Sequence, residues 1–440
     1  MNKYMHLSGF MIHCAAPHTQ MSWIHDKKKA KHQWHEPGYW QSIGKTLERG
    51  KFDMLFFADQ MAAYDLYKDT MEPTLEYAVQ FPVHDPVVLV PAISAVTEKL
   101  GFTLTMSTTF YPPYLLARKL STLDHVTQGR IGWNIVSSFH RNEMRNFGID
   151  EIIPHAERYA RAEEYIEVCK ALWGSWDADA VVMDMETGRF ADPSKVRKID
   201  FKGKWYNCSG PASVIPSPQG TPFLVQAGAS EAGLNFAAQH AEAVFGLRLE
   251  AESMRTFADD LGKRTLKFDR KPEDIKIMWG IIPIVAKTEA EAKDKERMIL
   301  ERIPIEASLT LISAHFGIDF SKYDIDAPLD TLEAPAIQGI IGAFKAVPGQ
   351  KFTLREAAIR HGTGVSMPHL VGTPSQVADQ MIAFLKDGGG DGFQMSPGYY
   401  APDYFEDIVD LLIPELQERG VFRKEYTGNT LRDHMAQRSG

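Results

Sequence analysis

The stretch Ser121-Thr-Leu-Asp-His-Val-Thr-Gln-Gly-Arg-Ile-Gly-Trp-Asn-Ile-Val-Ser-Ser138 decides the fold. It reads as the end of a helix, a stop at Gln128-Gly129, and an apolar strand from Arg130 to Val136. The strand releases Ser137 and Ser138 at its C-terminal end. Polar residues at the C-terminal end of a buried strand mark where parallel α/β folds place their chemistry.

Outward from that stretch, strand and helix patterns alternate through the whole chain, which favours a parallel sheet. The expected strands are His6–Ile12, Met54–Asp59, Phe102–Thr109, Arg130–Ser138, Phe223–Gly228, Ala243–Leu247, Ile277–Val285 and Gly392–Ser396. Helical periodicity falls between them at Tyr39–Arg49, Asp85–Lys99, Glu157–Trp173, Ser253–Leu266 and Pro374–Lys386. Eight strands with intervening helices predict an α/β fold of the (β/α)8 TIM-barrel type. A doubly wound sheet is disfavoured, because no Gly-x-Gly-x-x-Gly follows the first strand. The barrel is expected to be a single domain over residues 1–440, with insertions and a C-terminal arm. One insertion, about 177–222, reads as a hairpin. The other, about 303–371, shows no clear barrel strand and is long enough to be a functional lid. The polar tail 420–440 reads as a structural arm, with another subunit as one surface it could pack on.

Composition narrows the class. The chain has 440 residues, 44 % hydrophobic, and a net charge of -9. That is ample for a large core. No long basic run suggests nucleic acid as a partner. Three cysteines, Cys14, Cys169 and Cys208, lack metal or redox spacing and suit a reducing compartment. No signal-peptide pattern or membrane-length apolar run appears, so a cytoplasmic protein with no membrane partner is expected. Histidines cluster near the N-terminus (His6, His13, His18, His25, His32 and His35), but no His-Glu-x-x-His or Cys/His pairing accompanies them. No metal site is expected.

Several residues carry potential chemistry. Phe52-Asp-Met-Leu-Phe-Phe-Ala-Asp59 is a buried strand ending in a carboxylate, which could equally cap the next helix. Thr105-Met-Ser-Thr-Thr109 ends its strand in hydroxyls, including Ser107 and Thr108. Asn134 lies mid-strand among apolar residues, where an amide needs partners. His155 and Tyr159 are four apart on a helix and so share a face. Val225-Gln-Ala-Gly-Ala-Ser-Glu-Ala-Gly233 joins a strand to a helix through Gly228, Ala229 and Ser230. Exposed N–H groups and the helix dipole favour an anion at such a junction. Cys14 and His18 follow the first strand, Tyr64 and Gln80 the second, and Phe139 and His140 the fourth. His315 and Phe316 lie in the long insertion, and Met367 reads as pocket wall or core.

Taken with Arg145-Asn-Phe-Gly-Ile149, His155-Ala-Glu-Arg-Tyr159 and Glu425-Tyr-Thr-Gly-Asn-Thr-Leu-Arg-Asp-His434, the sequence resembles the bacterial luciferase-like flavin-dependent monooxygenases. It is most similar to the branch of nitrilotriacetate, dibenzothiophene sulfone and long-chain alkane monooxygenases. The resemblance spans nearly the whole chain. It implies a two-component system in which a separate NAD(P)H:flavin reductase supplies reduced FMN. That FMN reacts with O2 and inserts one oxygen atom into a small organic substrate through a flavin (hydro)peroxide. It further implies that Asp59 lies beside the isoalloxazine and that His155 and Tyr159 contact the phosphate region. Ser107, Thr108, Asn134, Ser138, Gly228, Ala229 and Ser230 join them as candidate flavin contacts. His315, His140, His18 and Tyr64 are the catalytic candidates. Cys14, Gln80, Phe139 and Phe316 are the candidates for substrate contact. A mouth rich in aromatic, Met and His side chains favours an apolar or sulfur-containing substrate. An alkane, an aminopolycarboxylate, or a non-catalytic flavin-binding role on the same fold are the alternatives. A homodimer or homotetramer is expected.

Overall fold

The computed structural model describes residues 4–25, 33–138, 140–228, 230–248, 250–331 and 352–437. Among them, eight parallel strands close into a ring: β1 (His6–Ile12), β2 (Met54–Ala58), β3 (Gly101–Ser107), β4 (Ile131–Val136), β9 (Phe223–Gln226), β10 (Ala243–Gly246), β11 (Lys276–Val285) and β13 (Gly392–Met395). Pairing of β10 with β11 and of β1 with β13 completes the circle. This is the expected TIM-barrel architecture. The strands are rich in Phe, Ile, Leu, Met and Val and are buried nearly throughout, as strands covered on both faces must be.

The four small strands between β4 and β9 lie in the segment expected to be a hairpin. They form two antiparallel hairpins, β5 (Val181–Asp184) with β6 (Arg189–Ala191), and β7 (Phe201–Lys202) with β8 (Asn207–Cys208). A further strand, β12 (His369–Gly372), falls where the sequence shows no barrel strand. It stays outside the ring. The long β11 pairs with β13 through Met278–Ile281 and with β12 through Ile282–Val285.

Six ring strands stop short of their expected ends, and for three of them a local reason is visible. After β2, the Gln60 N–H donates to Asp59 Oδ1 at 2.9 Å. After β3, the Thr109 N–H donates to Ser107 Oγ at 3.1 Å. After β4, Ser138 takes a left-handed φ of 30°. Side chains and turns thus take over the ladder, and the chain swings out at the C-terminal rim. The helix expected over Asp85–Lys99 is also shorter, Pro86–Ser94, with Asp85 capping it through the Val87 N–H.

The C-terminal segment packs on its own barrel, beneath the N-terminal ends of the strands. Tyr426 donates to the Phe52 carbonyl at 2.7 Å, and the Leu431 N–H donates to the Gly129 carbonyl at 2.9 Å. Arg423 and Asp53, both fully buried, form an ion pair there. The described part of the long insertion has its own small core, with Leu309, Ile312, Phe320 and Leu354 among its members. Within it the helices Ile305–Phe316 and Leu354–Gly362 cross closely. A Cβ added at Gly362 would lie 2.1 Å from Ser308 Oγ, so only glycine permits that approach. Residues 332–351 of the insertion, and Phe139 and Ala229, lie outside the described residues. No helix among the described residues is long and apolar enough to cross a membrane.

Candidate active site

A cavity of about 550 Å3 opens at the C-terminal rim of the barrel. That size suits a cofactor or small molecule.

One part of its wall is polar and bears a cation. The helix His155–Trp173 presents His155, Arg158 and Tyr159, spaced so that all three face the cavity. Arg158 Nη1 donates to the Ser138 carbonyl at 3.1 Å and Nε to the Ile153 carbonyl at 3.1 Å. These bonds fix the guanidinium at the edge of the cavity. Opposite Tyr159 is the turn after β9. A Cβ at Gly228 would come within 2.8 Å of the Tyr159 hydroxyl, and one at Gly233 within 2.7 Å. Backbone and phenol therefore meet only because both positions lack a side chain. Ser230 caps the helix Glu231–His240, its Oγ accepting from the Gly233 N–H at 3.1 Å.

A second part carries two carboxyls, Glu143 buried and Asp59 half-buried. Burial, then the neighbouring Asp85 and Glu143, push Asp59 up to about 8. Burial also raises Glu143, whose Oε1 accepts the Met61 N–H at 2.9 Å. At neutral pH Asp59 is therefore largely protonated and able to donate a hydrogen bond.

A third part is a hydroxyl–imidazole cluster. Tyr64 donates to Gln80 Oε1 at 2.8 Å and sits 3.2 Å from His315 Nε2. His140 and His315 each face the Tyr64 ring, with centroids 5.9 Å and 5.8 Å away. Burial lowers His140 to about 4 and His18 to about 3, so both imidazoles are neutral. His18 stacks on Phe10 at 3.9 Å. Phe10, Ile135, Phe245, Leu247, Val365 and Met367 supply the apolar wall.

Ten of the expected site residues line this cavity: His18, Asp59, Tyr64, Gln80, Ser138, His140, His155, Tyr159, Gly228 and His315. The others that the structure describes lie off its wall. Ser107 accepts the Thr109 N–H, and Thr108 Oγ1 donates to the Val136 carbonyl at 3.3 Å. Asn134 Nδ2 donates to Thr105 Oγ1 at 2.9 Å, leaving Oδ1 buried without a partner. Ser230 holds its helix, Cys14 is buried with its thiol pushed up by burial, and Phe316 packs 5.6 Å from the His361 ring. Arg158, Glu143 and Gln226 line the cavity although sequence reasoning did not single them out. Arg158 stands between His155 and Tyr159 at helical spacing, a signal that was available. Glu143 and Gln226 carried none. Among the described residues, no group of three or more His, Cys, Asp or Glu is placed to hold a metal ion.

Comparison with known proteins agrees with this architecture. The chain is 39 % identical to a long-chain alkane monooxygenase of Geobacillus thermodenitrificans, over 99 % of this chain and 94 % of that one. A crystal structure of long-chain alkane monooxygenase superposes with a TM-score of 0.89 at 38 % identity, covering 99 % of this chain and 96 % of the other. A dibenzothiophene-sulfone monooxygenase of Rhodococcus erythropolis is 39 % identical, over 99 % of this chain and 97 % of its own. Component A of nitrilotriacetate monooxygenase from Aminobacter aminovorans is 36 % identical, over 99 % and 96 %. Three different substrates at nearly equal identity mean that identity alone does not select one. The family of luciferase-like monooxygenases matches residues 11–392. With a closed parallel barrel, a rim cavity and that match across most of its length, the chain belongs to the luciferase-like, flavin-dependent monooxygenases.

Proposed function

We propose that this protein is the oxygenating component of a two-component system. It takes reduced FMN from a separate NAD(P)H:flavin reductase and adds one atom of O2 to a small apolar or sulfur-containing molecule. The observation that carries this reading is the division of the cavity wall. Arg158, His155 and Tyr159 with the Gly228 turn form an anion-binding corner. Phe10, Ile135, Phe245, Leu247 and Met367 form an apolar surface. A phosphate would be held at the first and a planar ring system beside the second. The Gly228–Gly233 turn is compatible with such a group, since the lack of a Cβ at both positions lets the Tyr159 hydroxyl stand against bare backbone. Reduced flavin bound there would supply the activation of O2.

The chain's own residues do the rest. The guanidinium of Arg158 binds and orients through charge-assisted hydrogen bonds. Neutral Asp59 holds a proton at its carboxyl and offers it as a hydrogen bond. The Tyr64 hydroxyl, its proton retained because burial raises the phenol well above its ordinary value, is a second donor. The apolar wall excludes water, which strengthens these polar contacts.

Arg158 is the only Arg or Lys among the described lining residues. A polycarboxylate substrate needs several cations beyond the one at the phosphate corner, so the apolar or sulfur-containing class is favoured. The test combines the protein with a flavin reductase, NADH, FMN and O2. Candidate alkanes, sulfides, sulfones and nitrilotriacetate are supplied singly, and products are read by mass spectrometry for an added oxygen atom. Product from nitrilotriacetate alone would overturn the substrate class. NADH oxidation by the isolated protein without reductase would overturn the two-component reading.

A further inference from the structure

His361 and Ser366 lie outside the cavity wall yet are joined to it by an unbroken hydrogen-bonded chain. Ser366 Oγ is 2.9 Å from His361 Nδ1, and His361 Nε2 is 2.9 Å from His315 Nδ1. His315 Nε2 is 3.2 Å from the Tyr64 hydroxyl, which is 2.8 Å from Gln80 Oε1. Gln80 Nε2 ends the chain at the Pro17 carbonyl, 2.6 Å away.

That last contact fixes every proton. A carbonyl only accepts, so the Gln80 amide must face it with nitrogen and turn its oxygen to Tyr64. Tyr64 has one proton and must give it to that oxygen, since otherwise two bare oxygens would face each other. The phenol oxygen is then left to accept, so His315 carries its proton on Nε2 and leaves Nδ1 bare. His361 must donate from Nε2 to that bare nitrogen, and its own bare Nδ1 takes the hydroxyl proton of Ser366. From Ser366 to Tyr64 the four donors run toward the cavity wall, where the Tyr64 proton rests on Gln80 Oε1.

Two further observations set this chain apart from ordinary packing. His361 is 3 % exposed between His315, half-buried on the cavity wall, and Ser366, half-buried at the outer end. The turn that delivers Ser366 is strained. Val365 and Ser366 both take left-handed φ, 53° and 63°, a rare conformation for a β-branched residue.

We propose that His361 and Ser366 are the outer members of a proton path, the chain along which solvent resupplies the proton Tyr64 gives into the cavity. The balance is simple. The Tyr64 O–H, which at rest points to Gln80 Oε1, turns from it and breaks as its proton passes to a basic atom of a molecule bound in the cavity. The His315 Nε2–H proton moves to the phenol oxygen, the His361 Nε2–H proton to His315 Nδ1, and the Ser366 proton to His361 Nδ1. Ser366 takes a proton from water, which leaves as hydroxide; no group on the path stays charged, and both imidazoles end as the Nδ1–H tautomer, which must be reset before the next transfer. The transfer role rests on the oxygenase reading, whereas the tautomer assignment does not.

The test uses full-length protein with 15N-labelled histidine, before flavin is added. Nitrogen–proton correlation spectra of His315 and His361 are expected to show a protonated Nε2 and a bare Nδ1 in both. His361→Leu removes the outer donor but leaves Tyr64 and Gln80 in place, so His315 should keep its Nε2–H while the path is cut. His361→Gln keeps an N–H for His315 Nδ1 but cannot pass a proton on, so it should preserve the tautomer. An Nδ1–H tautomer of His315 in the wild type would overturn the proton assignment on which the path rests. Reoxidation of chemically reduced, protein-bound FMN by O2 then tests the path. His361→Gln is expected to slow it at least about tenfold, the scale of a lost proton-transfer partner. A wild-type rate in a His361→Gln protein with the wild-type tautomer would overturn the path. If the wild type oxygenates no substrate at all, the functional reading fails while the tautomer result stands on its own.

Discussion

Arg423, brought in by the C-terminal segment, donates to Asp53 at the start of β2, and both side chains are fully buried. His6 Nδ1 lies 3.1 Å from the same carboxylate, and the Leu7 N–H donates to it at 2.8 Å. Burial alone would raise Asp53, but Arg423 and His6 outweigh it and hold the carboxyl below its ordinary value. Arg423→Leu leaves that carboxylate buried without its cation. The expected loss of stability is about 3–5 kcal/mol, the usual scale for breaking a buried pair, read by denaturant unfolding. The sign with pH follows from the lowered carboxyl. Its stabilisation is complete above the unfolded value of about 3.9 and disappears as pH falls through the lower folded value. Arg423→Leu should therefore flatten the acid limb of the stability curve. A variant as stable as the wild type at pH 7 would show the pair to be dispensable.

Flavin affinity should depend on the helix His155–Trp173. Arg158→Ala and Tyr159→Phe are each expected to weaken FMN binding by about 1.5–3 kcal/mol, tenfold to a hundredfold, because each removes a hydrogen bond to a charged group. Ser230→Ala separates two roles for the turn. Loss of its cap should cost about 1 kcal/mol of stability. If Ser230 also touches the phosphate, affinity falls as well. Calorimetric titration with FMN alongside thermal unfolding reads both.

Asp59 gives a pH dependence of the opposite sign. Its folded value is raised to about 8, so folding favours the neutral acid. The associated stability is complete below the unfolded value of about 3.9 and declines as pH rises toward 8. Asp59→Asn cannot ionise and should gain stability over the wild type across that window, with the gain levelling off above pH 8. Parallel stability curves for the two proteins would mean that Asp59 is ionised in the folded state.

Met367 separates the main cavity from an outer groove that also contains Ile359, Thr363 and His369. Met367→Ala should join the two spaces. In a series of n-alkyl sulfides of increasing length, the variant is expected to prefer longer chains than the wild type, seen as a shift in kcat/KM. An unchanged preference would place the substrate elsewhere along the wall.

The barrel was legible because each ring strand is a short apolar run bounded by turn residues, and such runs announce themselves one at a time. The strand ends were not, because Ser107, Asp59 and Ser138 look like strand residues until their local hydrogen bonds and φ are seen. The spacing of His155 and Tyr159 placed both on one helical face, which needs only 3.6-residue periodicity. Cys14 and Asn134 show the limit of the same reasoning. Proximity to a strand end does not say which way a side chain points, and neither of them lines the cavity. Glu143 and the pairing of His315 with His361 depend on elements that meet only in three dimensions. The Gly362–Ser308 crossing that sets the latter has no counterpart in local sequence pattern.

The divided pairing of β11 has a bearing on how this scaffold accepts change. Ring closure uses only its first half, against β10 and β13, and its second half is zipped to β12 at the base of the insertion. The insertion is thereby anchored to a strand extension that bears none of the barrel's closure. Its length and composition can drift without opening a seam in the ring, while His315 stays tethered above the cavity. Diversification of substrate among proteins of this architecture has, in that extension, a place to occur at little expense to folding.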